Sequence, residues 1–325
     1  MQTYLILSIY ILLCGFSLFA QVNINQQENI KHGEQSVEEI IISLENKAME
    51  RWCTGDPWGW AEISNKNVIY TDPGLTKPIE GIEAYKNYLQ QFEGKINYQV
   101  SEFINPKVKR YGDLAVLTYN YRDAKKNEDG VISDQYLWNN TEVYLLKNRE
   151  WKIVHTHWSF VNNKLPAQTE VPVLVTQPKI EYKGVLGELM KLESAAMERW
   201  RKGDSWGFTD ICDEDVTYFD TGTTRYIDGL TALKSEYAKR VGKIYYDVME
   251  FIDPKVQVYG DAAVLFYRFF STQLNPDGSI ASRTPWEWED YIPYYMTKPK
   301  PVGVYMYDYM LMGCVDDAIL KYLQI

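Results

Sequence analysis

The stretch ENKAMERWCTGDPWGW at residues 45–60 recurs 148 residues later as ESAAMERWRKGDSWGF at residues 193–208. Three further pairs keep this offset: YTDPG at 70–74 with YFDTG at 218–222, FINPKV at 103–108 with FIDPKV at 251–256, and YGDLAVLTYNY at 111–121 with YGDAAVLFYRF at 259–269. The alignment needs no gap, and about half of the compared positions are identical. Self-similarity at a fixed spacing indicates repeated structural units. The sequence therefore predicts one domain present twice.

Within each copy, helical patterns come first and strand patterns follow. Apolar residues at helical spacing predict a helix from about Val37 to Thr54, and Gly55 suits the left-handed position that ends it. Asp56 and Pro57 are typical of the start of a second, short helix. VIYTD predicts a strand, IEAYKNYLQQF a third helix, and four long strands continue to about residue 160. This order indicates an α+β fold in which a curved, mainly antiparallel sheet wraps the helices.

The ends of the chain and the segment between the copies have different compositions. Residues 1–20 are apolar and predict a signal peptide, hence a secreted or periplasmic protein, with an uncleaved membrane anchor as the alternative. The predicted organisation is a signal peptide at 1–20, a polar leader at 21–36, domain 1 at 37–161, a linker at 162–184, domain 2 at 185–290 and a divergent C-terminal segment at 291–325.

Composition and charge exclude several classes of partner. The net charge is −10, and no long basic run exists, so we expect no nucleic acid and no membrane contact beyond the signal segment. After the signal peptide, Cys53, Cys212 and Cys314 remain, and their spacing matches neither a disulfide framework nor a zinc site. We therefore expect these three to be buried free thiols, with no bound metal.

Four segments resemble a known family: GDPWGW at 55–60, VIYTDPG at 68–74, IEGIEAYKNYL at 79–89 and WNNTEVYLLKNREWKIVHTHWS at 138–159. They resemble the nuclear transport factor 2-like superfamily, in its SnoaL-like and ketosteroid-isomerase-like branch. The resemblance covers the first copy and the second as far as about Trp286. It implies tandem cone-shaped α+β barrels, each enclosing a deep pocket. Members include isomerases, cyclases, dehydratases and proteins without known chemistry, so the fold leaves the function open.

Strand alternation predicts which side chains share a pocket. On strict alternation, His155 and His157 lie on one face of the last strand together with Trp151, Ile153 and Ser159. We expect a pocket containing both histidines and the side chains of earlier strands. The candidate catalytic residues are Asp72, His155 and His157, and the candidate ligand-binding residues are Tyr70, Trp138 and Glu142.

Three interpretations of this set stay open. Asp72 or His157 could be a general base against an aromatic wall. The two imidazoles with Glu142 or Asp72 could bind a metal, although two histidines separated by one residue are a weak signal. The histidines could also be hydrogen-bonded groups of a polar pocket. On the last interpretation, we expect no metal and no cofactor.

The second copy departs from the first near its end. At the 148-residue offset, His155 corresponds to Gly303 and His157 to Tyr305, and the pattern is lost from about Glu287.

The expected function is therefore binding of a small, partly apolar organic molecule by domain 1. One alternative is a cofactor-independent isomerase, cyclase or dehydratase that uses Asp72 with either histidine. Another is a structural protein whose two copies pack on each other through Val154 and Trp158.

Overall fold

The computed structural model describes residues 35–75, 77–161, 181–219, 224–260, 262–292 and 304–308. The chain divides into two units, residues 1–40 and residues 41–325. In the first unit, a capping box opens the first helix. The Ser36 N–H donates to Glu39 Oε2 at 2.7 Å, and the Glu39 N–H donates to Ser36 Oγ at 3.2 Å. The predicted signal peptide, most of the leader and residues 162–180 of the linker lie outside the described residues.

The first half of the chain, residues 35–161, has its helices before its long strands, as predicted. The described elements are α1 (Val37–Cys53), α2 (Trp58–Ile63), β1 (Ser64–Thr71), β2 (Ile79–Glu80), α3 (Ile82–Leu89), a 3₁₀ turn (Gln90–Phe92), β3 (Val100–Tyr111), β4 (Leu114–Lys126), β5 (Ile132–Lys147) and β6 (Glu150–Phe160). The predicted first helix thus matches α1 to within one residue. The mixed α+β class is confirmed.

The second half, residues 181–308, follows the same order. Its described elements are α4 (Gly184–Trp200), α5 (Trp206–Thr209), β7 (Thr217–Phe219), β8 (Ile227–Asp228), α6 (Leu230–Ala238), β9 (Val248–Tyr259), β10 (Ala262–Leu274), β11 (Ile280–Ile292) and β12 (Val304–Asp308). Strand β12 belongs to the segment predicted to be divergent. The departure from the sequence pattern therefore does not remove the last strand.

The two six-stranded sheets have matching strand orders, β2-β1-β6-β5-β4-β3 and β8-β7-β12-β11-β10-β9. In each sheet the first strand of the chain pairs in parallel with the last, and the other pairs are antiparallel. Strand β12 has backbone partners on both sides, so it closes the second sheet as β6 closes the first. The backbone register places Tyr305 opposite Tyr218, as Thr156 is opposite Tyr70. Tyr305 is therefore the structural equivalent of Thr156. The constant 148-residue offset instead pairs Tyr305 with His157, one position further along the strand.

The GD-WG motif ends helix α1 and begins helix α2, as its residue types predict. Gly55 has φ 85°, which ends α1 in the left-handed region. Asp56 accepts a hydrogen bond at 3.0 Å from the Trp58 N–H at the start of α2. A Cβ on Gly59 would lie 3.1 Å from the Cα of Ala48, so a larger residue would require α1 and α2 to move slightly apart. The second half repeats the arrangement.

The two sheets contact each other through their faces. An apolar cluster joins them, formed by Leu114, Val116, Val143 and Val154 of the first sheet and Ala262 and Val264 of the second. At the rim, Lys107 pairs with Asp228 at 2.5 Å, and Lys255 pairs with Glu80. These two ion pairs are related by the same 148-residue offset. Each half thus presents an equivalent surface to the other, the arrangement of an isologous interface.

Two smaller predictions can be compared with the described residues. Cys53 and Cys212 are buried free thiols, as expected, while Cys314 lies outside the described residues. Across the part of the chain that the structure describes, we find no helix long and apolar enough to cross a bilayer.

Candidate functional site

A cavity of about 70 Å³ lies in the first half, between helices α1–α3 and strands β1, β4, β5 and β6. Its described lining residues are Met49, Trp52, Trp60, Tyr70, Asp72, Pro73, Gly74, Tyr85, Tyr88, Leu89, Phe92, Tyr121, Asp123, Trp138, Trp158 and Phe160. Aromatic rings dominate this list, and its two charged members are both aspartates. The predicted residues Tyr70, Asp72 and Trp138 therefore share one cavity.

Asp72 follows directly after β1 and is 7% exposed. Its Oδ2 accepts hydrogen bonds from the hydroxyls of Tyr70 at 2.9 Å and Tyr88 at 2.5 Å, and its Oδ1 accepts one from the Gly74 N–H at 2.7 Å. Burial raises the pKa of Asp72 above its usual range, although these hydrogen bonds and the charge of His157 act in the opposite direction. Asp72 is thus a carboxyl group whose pKa lies above that of an exposed aspartate.

Asp123 is a second carboxyl group of the cavity, and the sequence analysis missed it. It lies on β4 and is 2% exposed. The Trp138 indole N–H donates to its Oδ2 at 3.1 Å. The available signal was the alternation along β4, which places Asp123 on the same face as Tyr121 and Tyr119. That alternation would have predicted a second acid beside Asp72.

The Trp158 ring is surrounded by other aromatic rings. It is edge-on to Tyr121 at a centroid distance of 5.9 Å, to Trp138 at 6.0 Å and to Trp60 at 6.5 Å. Trp138 in turn stacks on Phe160 at 4.0 Å. Such pairs stabilise one another and fix the orientation of the rings. The cavity wall is therefore a rigid aromatic surface.

Glu142 is near this cavity but does not line it. Its carboxylate is fully buried, and it accepts hydrogen bonds from Thr156 Oγ1 at 2.5 Å and Asn140 Nδ2 at 3.3 Å. These partners belong to the protein itself. The prediction that Glu142 binds a ligand therefore has no support from the geometry, and a structural role fits its contacts better.

A further buried carboxyl group, that of Glu45, links α1 to the sheet. Glu45 is fully buried and accepts hydrogen bonds from the Tyr119 hydroxyl at 2.9 Å and from the Tyr144 hydroxyl. Burial raises the pKa of Glu45 to about 7 despite these two hydrogen bonds. The carboxyl group connects the helix to β4 and β5 beneath the cavity.

The expectation that the histidines line the pocket is wrong. His155 Nδ1 lies 2.8 Å from Oε1 of Gln257, and its ring lies 5.2 Å from that of Phe266, so it faces the second sheet. In the strand register His157 lies opposite Thr71 and Thr141. Two positions along β6 from His155, it lies on the same face of the sheet, away from the cavity. The cavity face of β6 instead presents Thr156, Trp158 and Phe160. Both histidines are buried, at 2% and 1% exposure.

The cause of this error is a β-bulge. Between β5 and β6, Val143 is opposite His155 but Tyr144 is opposite Ile153, so Val154 is an extra residue on β6. Beyond an extra residue, the alternation of side chains is shifted by one position. Val154 consequently packs against the second sheet, where the sequence predicted a contact between the two copies. Trp158 was expected in the same contact, but it lines the cavity.

The metal interpretation gains no support from the described residues. In them, no group of three or more histidine, cysteine, aspartate or glutamate side chains is arranged to hold a metal ion. His155 and Asp72 lie on opposite faces of the first sheet, so they cannot share a ligand.

The positions that correspond to the cavity lining differ in the second half. At the 148-residue offset, Asp123 corresponds to Ser271, and Phe92 corresponds to Arg240. The equivalent of Asp72 is Asp220, which lies outside the described residues. The chemistry of the first cavity is therefore not duplicated at these positions.

Comparisons with known proteins find one family model and several solved structures that are similar to this chain. Residues 37–162 match the family model of the calcium/calmodulin dependent protein kinase II association domain. Similar solved structures include a candidate ketosteroid isomerase from Parabacteroides distasonis, at 34% identity over 40% of this chain and 92% of that chain, with a TM-score of 0.35. The C. elegans kinase association domain is 22% identical over 37% of this chain and 92% of that chain, with a TM-score of 0.32.

A protein of unknown function from Pseudomonas putida, described as nuclear transport factor 2-like, is 20% identical. The match covers 43% of this chain and 96% of that chain, with a TM-score of 0.35. No curated protein matches the chain. The 34% identity to the Parabacteroides protein extends over nearly all of that relative, and it is this identity that decides the family. The chain belongs to the nuclear transport factor 2-like superfamily.

Proposed function

We propose that the first half of this protein binds a small, partly apolar organic molecule in the cavity beside Asp72 and Asp123. The observation that supports this most is the lining itself, a largely aromatic surface with a few buried polar groups. Apolar walls provide affinity, and a small number of fixed polar groups provide orientation and specificity.

This proposal is tested by extracting small molecules from the purified full chain and identifying them by mass spectrometry. Trp138→Ala removes part of the wall and the indole donor to Asp123. We expect the extracted ligand to be retained by wild type and depleted at least about tenfold in this variant. The matched control is Val258→Ala, at a side chain that is 50% exposed and outside the cavity. Ligand occupancy that is equal in all three proteins would contradict the proposal.

A second candidate function is a cofactor-independent isomerase, cyclase or dehydratase. The raised pKa of Asp72 favours it, because a general base works best when its pKa is near the working pH. The histidines lie on the other face of the sheet, so Asp72 would act with Tyr70 and Tyr88, whose hydroxyls donate to it. In ketosteroid isomerase, by contrast, a tyrosine and a protonated aspartate donate hydrogen bonds to the substrate oxygen. Here the phenol protons are directed at the carboxylate.

The enzyme candidate predicts a large effect of Asp72→Asn. With a β,γ-unsaturated 3-ketosteroid as the probe, we expect kcat/KM to fall roughly 10²- to 10⁴-fold, the usual contribution of a general base. The exposed Asp129→Asn should retain activity, because this side chain does not line the cavity. Equal rates in wild type and Asp72→Asn would remove Asp72 from the mechanism.

The location and the internal duplication belong to the same proposal. A signal peptide at residues 1–20 would deliver the protein outside the cytoplasm, and intact-mass measurement of the exported protein should then give a chain that begins at Gln21. The 148-residue sequence repeat and the two matching strand orders support a tandem duplication. In this proposal the second half stabilises the first through the sheet interface.

A further inference from the structure

We propose that the interface between the two sheets contains a second ligand site, which binds a neutral, largely apolar molecule with a hydrogen-bond acceptor such as a ketone oxygen. The site is a cavity of about 540 Å³ at the β3–β4 and β9–β10 turns. This volume exceeds the 70 Å³ of the first cavity and lies in the range of small-molecule sites. The described linings of the two cavities share no residue, so the inference goes beyond the proposed function of the first half.

Two hairpin turns that correspond at the 148-residue offset line this cavity. Gly112 occupies the β3–β4 turn with φ 63°, and Gly260 occupies the β9–β10 turn with φ 58°. Glycine adopts such positive φ values without steric cost. A Cβ placed on either glycine would have no described atom within 4 Å. The space at both turns is therefore open among the described residues.

Aliphatic side chains give the cavity an apolar surface. Leu114 and Ala262 belong to the cluster that joins the two sheets, and Leu145 packs against that cluster. Ala262 corresponds to Leu114 at the 148-residue offset, so the second half presents the smaller side chain at this position. The difference in side-chain volume leaves room for an apolar ligand beside Ala262.

Tyr259 provides a hydrogen-bond donor in this apolar surface. Its side chain lines the cavity and packs against the same cluster. Within the part of the chain that the structure describes, the Tyr259 hydroxyl has no hydrogen-bond partner. Burial raises the pKa of Tyr259 to about 12, so the phenol keeps its proton at neutral pH. A ligand oxygen that accepts this proton in a hydrogen bond would fix the orientation of the ligand.

The charges around the β3–β4 turn favour a neutral ligand. Asp113 is the one charged residue of the described lining, and it is exposed. Arg110, which precedes it on the same turn, donates from Nε to the Gly112 carbonyl oxygen at 2.8 Å. Because the turn has one carboxylate and one guanidinium, it offers no charge of a single sign to an ionic ligand. An ion would also lose hydration in the apolar part of the cavity.

A fluorescence titration of the full chain tests the inference. The probe is 6-propionyl-2-dimethylaminonaphthalene, a neutral ketone whose emission shifts to the blue in an apolar site. Three competitors of similar shape are 2-acetylnaphthalene, 2-ethylnaphthalene and 2-naphthoate. We expect the acetyl compound to bind about three- to tenfold more tightly than the ethyl compound, because one hydrogen bond distinguishes them, and the carboxylate to bind most weakly.

Two variants with matched controls locate the site. Ala262→Leu introduces the residue of the first half and fills the cavity, so it should weaken probe binding at least about tenfold. Ala232→Leu, the same change at an exposed position of α6, should leave binding unaltered. Tyr259→Phe should lower the affinity for 2-acetylnaphthalene to that for 2-ethylnaphthalene. Tyr245→Phe, at a side chain that is 55% exposed and outside the described lining, should preserve the difference.

Urea unfolding establishes that each variant is folded, and Tyr259→Phe, which removes a single oxygen atom, tests the site even if Ala262→Leu does not fold. Equal affinities of wild type for the acetyl and ethyl compounds, equal effects of Tyr259→Phe and Tyr245→Phe, or no binding of the probe would overturn the inference. Probe binding that is lost in Trp138→Ala and retained in folded Ala262→Leu would also overturn it, because the probe would then occupy the first cavity. That result would support the proposed function, so the two proposals fail separately.

Discussion

The Glu45→Ala variant is expected to lose about 3–5 kcal/mol of unfolding free energy. The Glu45 carboxyl group is fully buried and accepts hydrogen bonds from the hydroxyls of Tyr119 and Tyr144. Removing it leaves two buried phenols without this acceptor and creates a cavity between α1 and the sheet. Each of these costs destabilises the fold. Urea unfolding followed by tryptophan fluorescence measures the loss.

The second half contains a natural comparison for this variant. Glu193 corresponds to Glu45 and accepts a hydrogen bond from the Tyr267 hydroxyl at 2.7 Å. Glu193→Ala should therefore destabilise the fold as well, because it removes the buried acceptor of the Tyr267 hydroxyl. An unchanged urea midpoint for Glu193→Ala would contradict the importance of these buried carboxyl groups.

The Glu45 carboxyl group also has a pH signature. Its pKa is raised from 4.5 to about 7 by burial, so between these values the folded state binds more protons than the unfolded state. Stability from this group is complete below pH 4.5 and is lost as the pH rises through about 7. Glu45→Gln retains the volume but cannot titrate. Its unfolding free energy should fall less steeply than that of wild type over this range, and equal slopes would contradict the prediction.

The order of elements could be predicted from the sequence because local chemistry determines it. Helix α1 follows from apolar spacing and ends at Gly55, where φ is 85°. The segment KINYQVSEF predicts a strand over residues 95–103, whereas β3 is found at Val100–Tyr111, and this is the largest error in an element boundary. The pair Asn105–Pro106 indicates a turn but instead forms a bulge, with Asn105 at φ 52° and a register shift between Ile104 and Lys107. A proline is tolerated in a strand at such a bulge.

The candidate site was predictable only where strands keep strict alternation. Tyr70, Asp72 and Trp138 were placed correctly in one cavity. The histidines were misplaced because an extra residue, Val154, interrupts β6, and no local property of WKIVHTHWS distinguishes a bulge from a regular strand. The contacts of His155 with Gln257 also depend on residues about a hundred positions away, which local patterns cannot pair.

The Val264→Asp variant should show how strongly the two halves depend on each other. Val264 is 2% exposed and belongs to the apolar cluster that joins the sheets, together with Val116 and Val154. An aspartate there would bury an unpaired charge among aliphatic side chains, at a cost of about 3–5 kcal/mol. We expect a correspondingly lower urea midpoint.

Val258→Asp is the matched control for this variant. It makes the same chemical change on neighbouring β9, at a side chain that is 50% exposed, so its effect should be within about 0.5 kcal/mol. Because His155 contacts Gln257 and Phe266 of the second half, Val264→Asp should also perturb the His155 environment, measurable as a shift of its imidazole resonances. If the two variants unfold at the same urea concentration, the sheets do not stabilise each other through this cluster. The first half would then be expected to fold and to bind its ligand independently of the second.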